Sequence, residues 1–373
     1  MPPWVVTLAV TVTLLPAGLT RADTVVRRGA APPITGTNAV IDGAGVTLRV
    51  SGGSLVTVAW DRVRDVVLEP PDDTRLSVLP RYRDDATRLW RARTRVERGD
   101  TALAEPLLER LFETYRGQTN ETALVIANGL LRCRLARGAH ASAVLPALEV
   151  IRLRRAGFET ESYRNLPPVI DPATQLAPQL APAWIPGRPL ETLDRDLATY
   201  DPGNDDVVAA MARLYHHAVR TTLGRPDDPV TLDGDVGRHP GIVRLGLLVA
   251  CTDPDSDQRN AARRRLLEEL DGWPAWAQAW ARFGRGVSLL QEPGDGRRRR
   301  GMVELLHLPA RYGREVPFLT GLALARVAEA SRADGETETA AVLEAELVRR
   351  FPNHPVRRSA SGLRRTAAED AVR

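Results

Sequence analysis

Between Tyr82 and Gly157 the apolar positions recur at helical spacing, and the runs are punctuated by glycine. One run reaches Gly99, and Ala104 stands five places later in the next run; another reaches Gly138, with Ala143 again five places on. The pattern predicts a helix, a turn and a helix, written twice. Asp84-Asp85 is expected to cap the first long helix and complement its N-terminal dipole.

Ahead of this stretch the period changes. From Asp23 to Val67 β-branched residues alternate with glycine-rich turns. Val46, Leu48 and Val50 fall on one face of a strand, Val56, Val58 and Trp60 on one face of the next, and Gly52-Gly53 between them signals a hairpin. Four or five short strands are predicted over 23–68. They are expected to close as a small β-barrel, because so short a sheet needs closure or a cover. Glu69-Pro70-Pro71-Asp72-Asp73 begins a linker over 69–83, and helical repeats follow over 84–164.

A proline-rich strap is expected over 165–189. Its proline density forbids a long helix, yet Ile170, Leu176, Leu180 and Trp184 are too apolar for a free linker. It is expected to lie across the helices, as structural cover or as a regulatory, ligand-like segment. Helical repeats resume over 190–357, and a basic tail covers 358–373. Trp273, Trp276 and Trp280 share one helix face. Such a stripe is usually core; its functional alternative, with Trp184, is a carbohydrate or peptide platform. Residues 1–22 have the form of a secretory signal peptide, with an apolar core from Trp4 to Leu15 too short to span a membrane and a small-x-small site ending at Ala22. The n-region has no Lys or Arg, which leaves an uncleaved anchor as the alternative and membrane contact conditional on it.

Composition adds little to the class and more to the chemistry. At 43% hydrophobic and 5% aromatic, the core must be built largely of Leu, Val and Ala, which suits helix-on-helix packing. The 51 basic residues are all arginine, but 47 acids are interspersed and the net charge is only +4. That balance does not suit a nucleic-acid protein. Cys133 and Cys251 are too few for a disulfide framework or a zinc site; one bridge and two buried thiols both remain open.

The glycine-turn units resemble tetratricopeptide repeats. Gly99-Asp100 with Ala104 and Gly138 with Ala143 match that family's turn and small packing residue. The C-terminal unit matches best, with Gly335, Ala340 and a terminal Pro352. A weaker unit has Gly296 and Gly301. Gly99 to Gly138 and Gly296 to Gly335 are both steps of 39 residues. The resemblance implies a mainly α fold, a degenerate tetratricopeptide-like α-solenoid, which binds a protein or peptide; the alternative is a generic helical bundle. The 23–68 segment resembles the small Sm-like or SH3-type barrels that follow signal peptides in exported bacterial proteins, from its Asp23-Thr24-Val25-Val26 opening to its Trp60–Val66 closing strand.

Catalytic motifs are absent. There is no H-E-x-x-H, G-x-S-x-G, P-loop or G-x-G-x-x-G, and the adjacent His216 and His217 point to different sides of a helix. Asp253, Asp255 and Asp257 have calcium-loop spacing, but Gln258 and Arg264 stand where Gly and Glu are needed, so helix capping explains them better. Arg297, Arg298, Arg299 and Arg300 form a run near a helix start, where positive charge opposes the dipole; the mismatch marks an anion or acidic-partner site against the alternative of a solvated face. The expectation is a binding scaffold in the periplasm or cell envelope of a bacterium, with a protein or peptide partner and without catalysis, cofactor or metal. The alternative is a glycan-active hydrolase using two facing carboxylates beside Trp184 or Trp276.

Overall fold

The computed structural model describes residues 22–232 and 234–357. The signal segment, apart from Ala22, and the basic tail lie outside the described residues. The fold is mainly helical, with a small antiparallel sheet at its N-terminal end.

The sheet comprises β1 (Asp23–Arg27), β2 (Ile34–Asp42), β3 (Gly45–Arg49), β4 (Leu55–Val58) and β5 (Val63–Val67), in the order β4-β3-β2-β1-β5. The register pairs Val46 with Val58 and Leu48 with Val56, and Val25 with Val66. The expected barrel is not closed: β4 and β5 are the two edges. A helix supplies the cover instead. α1 (Asp73–Glu97) packs on β2 and β5, and its Tyr82 stacks on the fully buried Trp60 at 5.0 Å. With its apolar face buried in this way, the sheet has no need of closure. α1 starts at Asp73, behind an Asp72 cap whose carboxylate accepts from the Thr74 and Arg75 amides, so Asp84-Asp85 lies within the helix rather than capping it.

The helices that follow are α2 (Thr101–Tyr115), α3 (Glu121–Ala136), α4 (His140–Arg155), α5 (Arg188–Ala198), α6 (Asp206–Thr222), α7 (Gly234–Arg238), α8 (Pro240–Ala250), α9 (Ser256–Glu269), α10 (Ala275–Leu290), α11 (Asp295–His307), α12 (Pro317–Ala333) and α13 (Thr337–Arg350). Three hairpins share one construction. Gly99, Gly138 and Gly335 each turn the chain with φ between +74° and +85°, and Ala104, Ala143 and Ala340 are each completely buried against the preceding helix. The fourth unit differs. Gly296 lies inside α11, and the turn before that helix is made at Gly294 (φ +104°). Gly301 is a packing glycine: a Cβ there would stand 2.8 Å from the Gly286 carbonyl of α10.

Between α4 and α5 the chain has no helix or strand, and its second half, about residues 174–184, is largely interior. Leu176, Ala177, Leu180 and Ala181 are buried. Their backbone is fastened from several helices: Tyr215 Oη donates to the Leu180 carbonyl and Trp280 Nε1 to that of Pro178, each at 2.9 Å, while Gly241 packs on the Thr174 carbonyl.

The C-terminal hairpin meets the α3–α4 turn through a stack of rings. His140 lies on Phe318 at 3.5 Å and Phe318 on His354 at 5.0 Å, while Pro355 touches the Gly138 position. His354 is used in its neutral form: Nε2–H donates to the Phe318 carbonyl at 2.8 Å and Nδ1 accepts from the Val356 amide at 3.2 Å. Burial lowers the pKa of both imidazoles, that of His140 to about 4, with His354 adding to the effect on His140. In the unfolded chain an imidazole titrates near 6.5. The unfolded state therefore takes up protons first, and stability present above about pH 6.5 is lost as pH falls toward 4, by at most about 1.4 kcal/mol per pH unit for each histidine. Urea midpoints measured from pH 7.5 to 4.5 are expected to fall across this window, and less so in His140→Phe.

Candidate functional site

α9, α10 and α11 bound a cleft of about 670 Å³. Each helix contributes one face, as helical spacing requires. Asp257, Asn260, Arg264 and Leu267 come from α9, Arg285 and Leu289 from α10, and Arg299, Arg300, Val303 and Glu304 from α11; Arg263 completes the lining. The close approach of α10 and α11 at Gly286 and Gly301 sets these faces side by side.

The arginines fall into two groups. Arg285 pairs with Glu304 at 2.8 Å, and Glu304 also accepts from Arg282 at 3.0 Å, so both its oxygens are engaged. Arg263 reaches Glu292 at 3.4 Å and donates to Ser288 Oγ at 2.8 Å. Arg264, Arg299 and Arg300 are different. They are exposed, and no carboxylate among the described residues pairs with them. Leu267 and Val303 stand beside them, 55% and 58% exposed. Burial lowers the Arg285 pKa; the paired Glu304 opposes the shift, and Arg282 and Arg263 add smaller contributions to it. The surface thus carries more exposed cations than acids, with Asp257 beside Arg264, Arg299 and Arg300 and apolar side chains between. It can hold carboxylates or phosphates by forked hydrogen bonds.

The run at Arg297–Arg300 divides. Arg297 turns back to Glu292 at 3.3 Å and Arg298 crosses to Asp334 at 2.9 Å. Those two are structural; Arg299 and Arg300 face the cleft. The cleft partners Arg263, Arg264 and Arg285 were not singled out from sequence, because they reach the site only through the packing of two other helices.

Trp184, Trp276 and Trp280 offer no binding platform, since all three are buried. Trp276 and Trp280 pack edge to face at 5.1 Å, and Trp184 lies against Tyr215 at 6.1 Å. Large apolar rings at helical spacing have gone into the core. Asp255 caps α9, its carboxylate accepting from the Asp257 amide at 2.7 Å. Cys133 and Cys251 are separate, buried free thiols, and burial pushes each up to about 12. His216 bonds to Asp194 at 2.9 Å, whereas His217 faces Asp253.

Comparison of the chain with protein-family models, with curated proteins and with solved structures finds no match.

Proposed function

We propose that this protein is a non-catalytic binding scaffold of the bacterial cell envelope, and that the α9–α10–α11 cleft holds an acidic segment of a protein partner. The observation that carries this reading is the group of guanidiniums without an ion pair: Arg264, Arg299 and Arg300 line one cleft, and none of them is salt-bridged to a carboxylate among the described residues. Such crowding of positive charge is unfavourable in the free protein, and an anionic partner relieves it. The apolar positions Leu267, Leu289 and Val303 between the arginines favour a peptide with apolar side chains over a bare inorganic anion.

The shared construction of the hairpins at Gly99, Gly138 and Gly335 supports a degenerate tetratricopeptide-like array as the frame of the scaffold. Work outside the cytoplasm rests on the Trp4–Leu15 segment. A photo-crosslinking residue placed at Val303, with a control at the equally exposed Leu103 of α2, tests the reading in native envelope extract. Adducts rich in Asp and Glu are expected at Val303 and not at Leu103. Identical adducts at both positions would contradict it.

A further inference from the structure

A second cavity, of about 290 Å³, lies between α6, α8 and α9. We propose that it is a binding site for a small, uncharged apolar molecule bearing one hydroxyl group, of the size of a simple phenol.

Leu214, Val230, Leu232, Ile242 and Leu247 supply the aliphatic part of the walls, and polar groups make up a comparable share. The polar end is made by His217 and Asp253, which are 5% and 6% exposed. Neither is fully used. His217 Nδ1 has no hydrogen-bond partner, and its Nε2 is 3.7 Å from Asp253 Oδ2, too far for a hydrogen bond. Asp253 Oδ1 is occupied by the Asp255 amide at 2.8 Å. An imidazole and a carboxylate are therefore held apart beside the aliphatic part of the cavity. A hydroxyl, with one proton to give and lone pairs to accept, can serve both.

Gly246 gives an independent indication that the space is kept open. It lies within α8 and lines the cavity, and a Cβ there would meet only Leu232 Cδ1, at 4.0 Å. No close approach requires a glycine at this position, and glycine is a poor residue for a helix interior. A larger side chain would project into the cavity.

The charge of the ligand follows from the charged groups in the lining. Arg265 is there, but it is paired with Glu269 at 2.8 Å, and the remaining charged group is the Asp253 carboxylate. A carboxylate or phosphate ligand would meet like charge, so a neutral hydroxyl fits better. The volume is at the small end of ligand pockets, roughly 300–1,000 Å³, which limits the occupant to about one ring. Gln258 and Arg265 face this cavity while Asp257, Asn260 and Arg264 face the arginine cleft, so the two sites use different sides of α9.

Titration calorimetry of the full chain with p-cresol and with toluene tests the proposal. Saturable binding of p-cresol is expected, with toluene at least tenfold weaker. His217→Phe should lose at least tenfold for p-cresol. Gly246→Leu should fill the cavity and abolish binding while its unfolding midpoint stays at or above that of the parent. Absence of saturable p-cresol binding to the parent chain, or equal affinity for toluene, would mean that water alone occupies the polar end and would overturn the proposal. So would undiminished binding by folded His217→Phe.

Discussion

Trp280→Ala is expected to lower the stability of the chain by about 3–5 kcal/mol, the range for truncating a large buried aromatic. Trp280 is 1% exposed, packs edge to face on Trp276, and donates its indole N–H to the Pro178 carbonyl at 2.9 Å. Alanine would leave a cavity and take the indole donor from the partly buried Pro178 carbonyl in the segment between α4 and α5. That segment has no ladder of its own to hold it, and depends on donors such as Trp280 and Tyr215. Trp280→Phe keeps part of the volume and loses the hydrogen bond, so an intermediate loss is expected. Urea unfolding measures both. A loss below about 1 kcal/mol for the alanine variant would show that Trp280 lies in open contact with solvent, not in the core.

Arg93→Ala is expected to cost a similar amount, about 3–5 kcal/mol, because it strands a buried charge. Asp61 is completely buried in the turn between β4 and β5; its Oδ2 accepts from Arg93 at 2.8 Å and from Ser162 Oγ at 2.7 Å. This carboxylate joins the sheet, α1 and the chain beyond α4. Its neighbour Trp60 adds a bond from its amide to Thr122 Oγ1 at 3.1 Å, and Thr122 in turn donates to the Ala44 carbonyl. Removing Arg93 should therefore loosen the sheet first. Hydrogen exchange in β1 and β5 is expected to speed up before exchange in α3 and α4 changes. Pairing Arg93→Met with Asp61→Asn removes both charges and should recover much of the loss; failure to recover would place the cost elsewhere than in the stranded carboxylate.

These two sites show what could be read from sequence. The hairpins at Gly99, Gly138 and Gly335 were legible because a left-handed turn and a small packing residue keep a fixed spacing in the chain. Gly296 had the same spacing and a different role, because the start of α11 is set by Gly294 and Asp295 just before it. The alternation of β3 and β4 was legible, but closure of the sheet was not. That depended on whether α1 would cover the apolar face, which no local pattern records. The tryptophan stripe could be placed on one face of a helix, yet its burial depended on the chain between α4 and α5 lying over it. At the cleft, the arginine run was visible while its division was not: Arg297 and Arg298 have partners only once Glu292 and Asp334 are brought near, and Arg299 and Arg300 lack them for the same geometric reason.

Binding of a synthetic peptide of alternating glutamate and leucine, followed by calorimetry at two salt concentrations, tests the role of the cleft most directly. The parent chain should bind it saturably and less tightly at high salt, since exposed charges are screened. The triple variant Arg264→Glu, Arg299→Glu and Arg300→Glu should keep its unfolding midpoint, because none of the three holds an ion pair among the described residues, and should lose the binding. Equal binding by the parent and the triple variant, or binding that ignores salt, would contradict an acidic partner in the cleft.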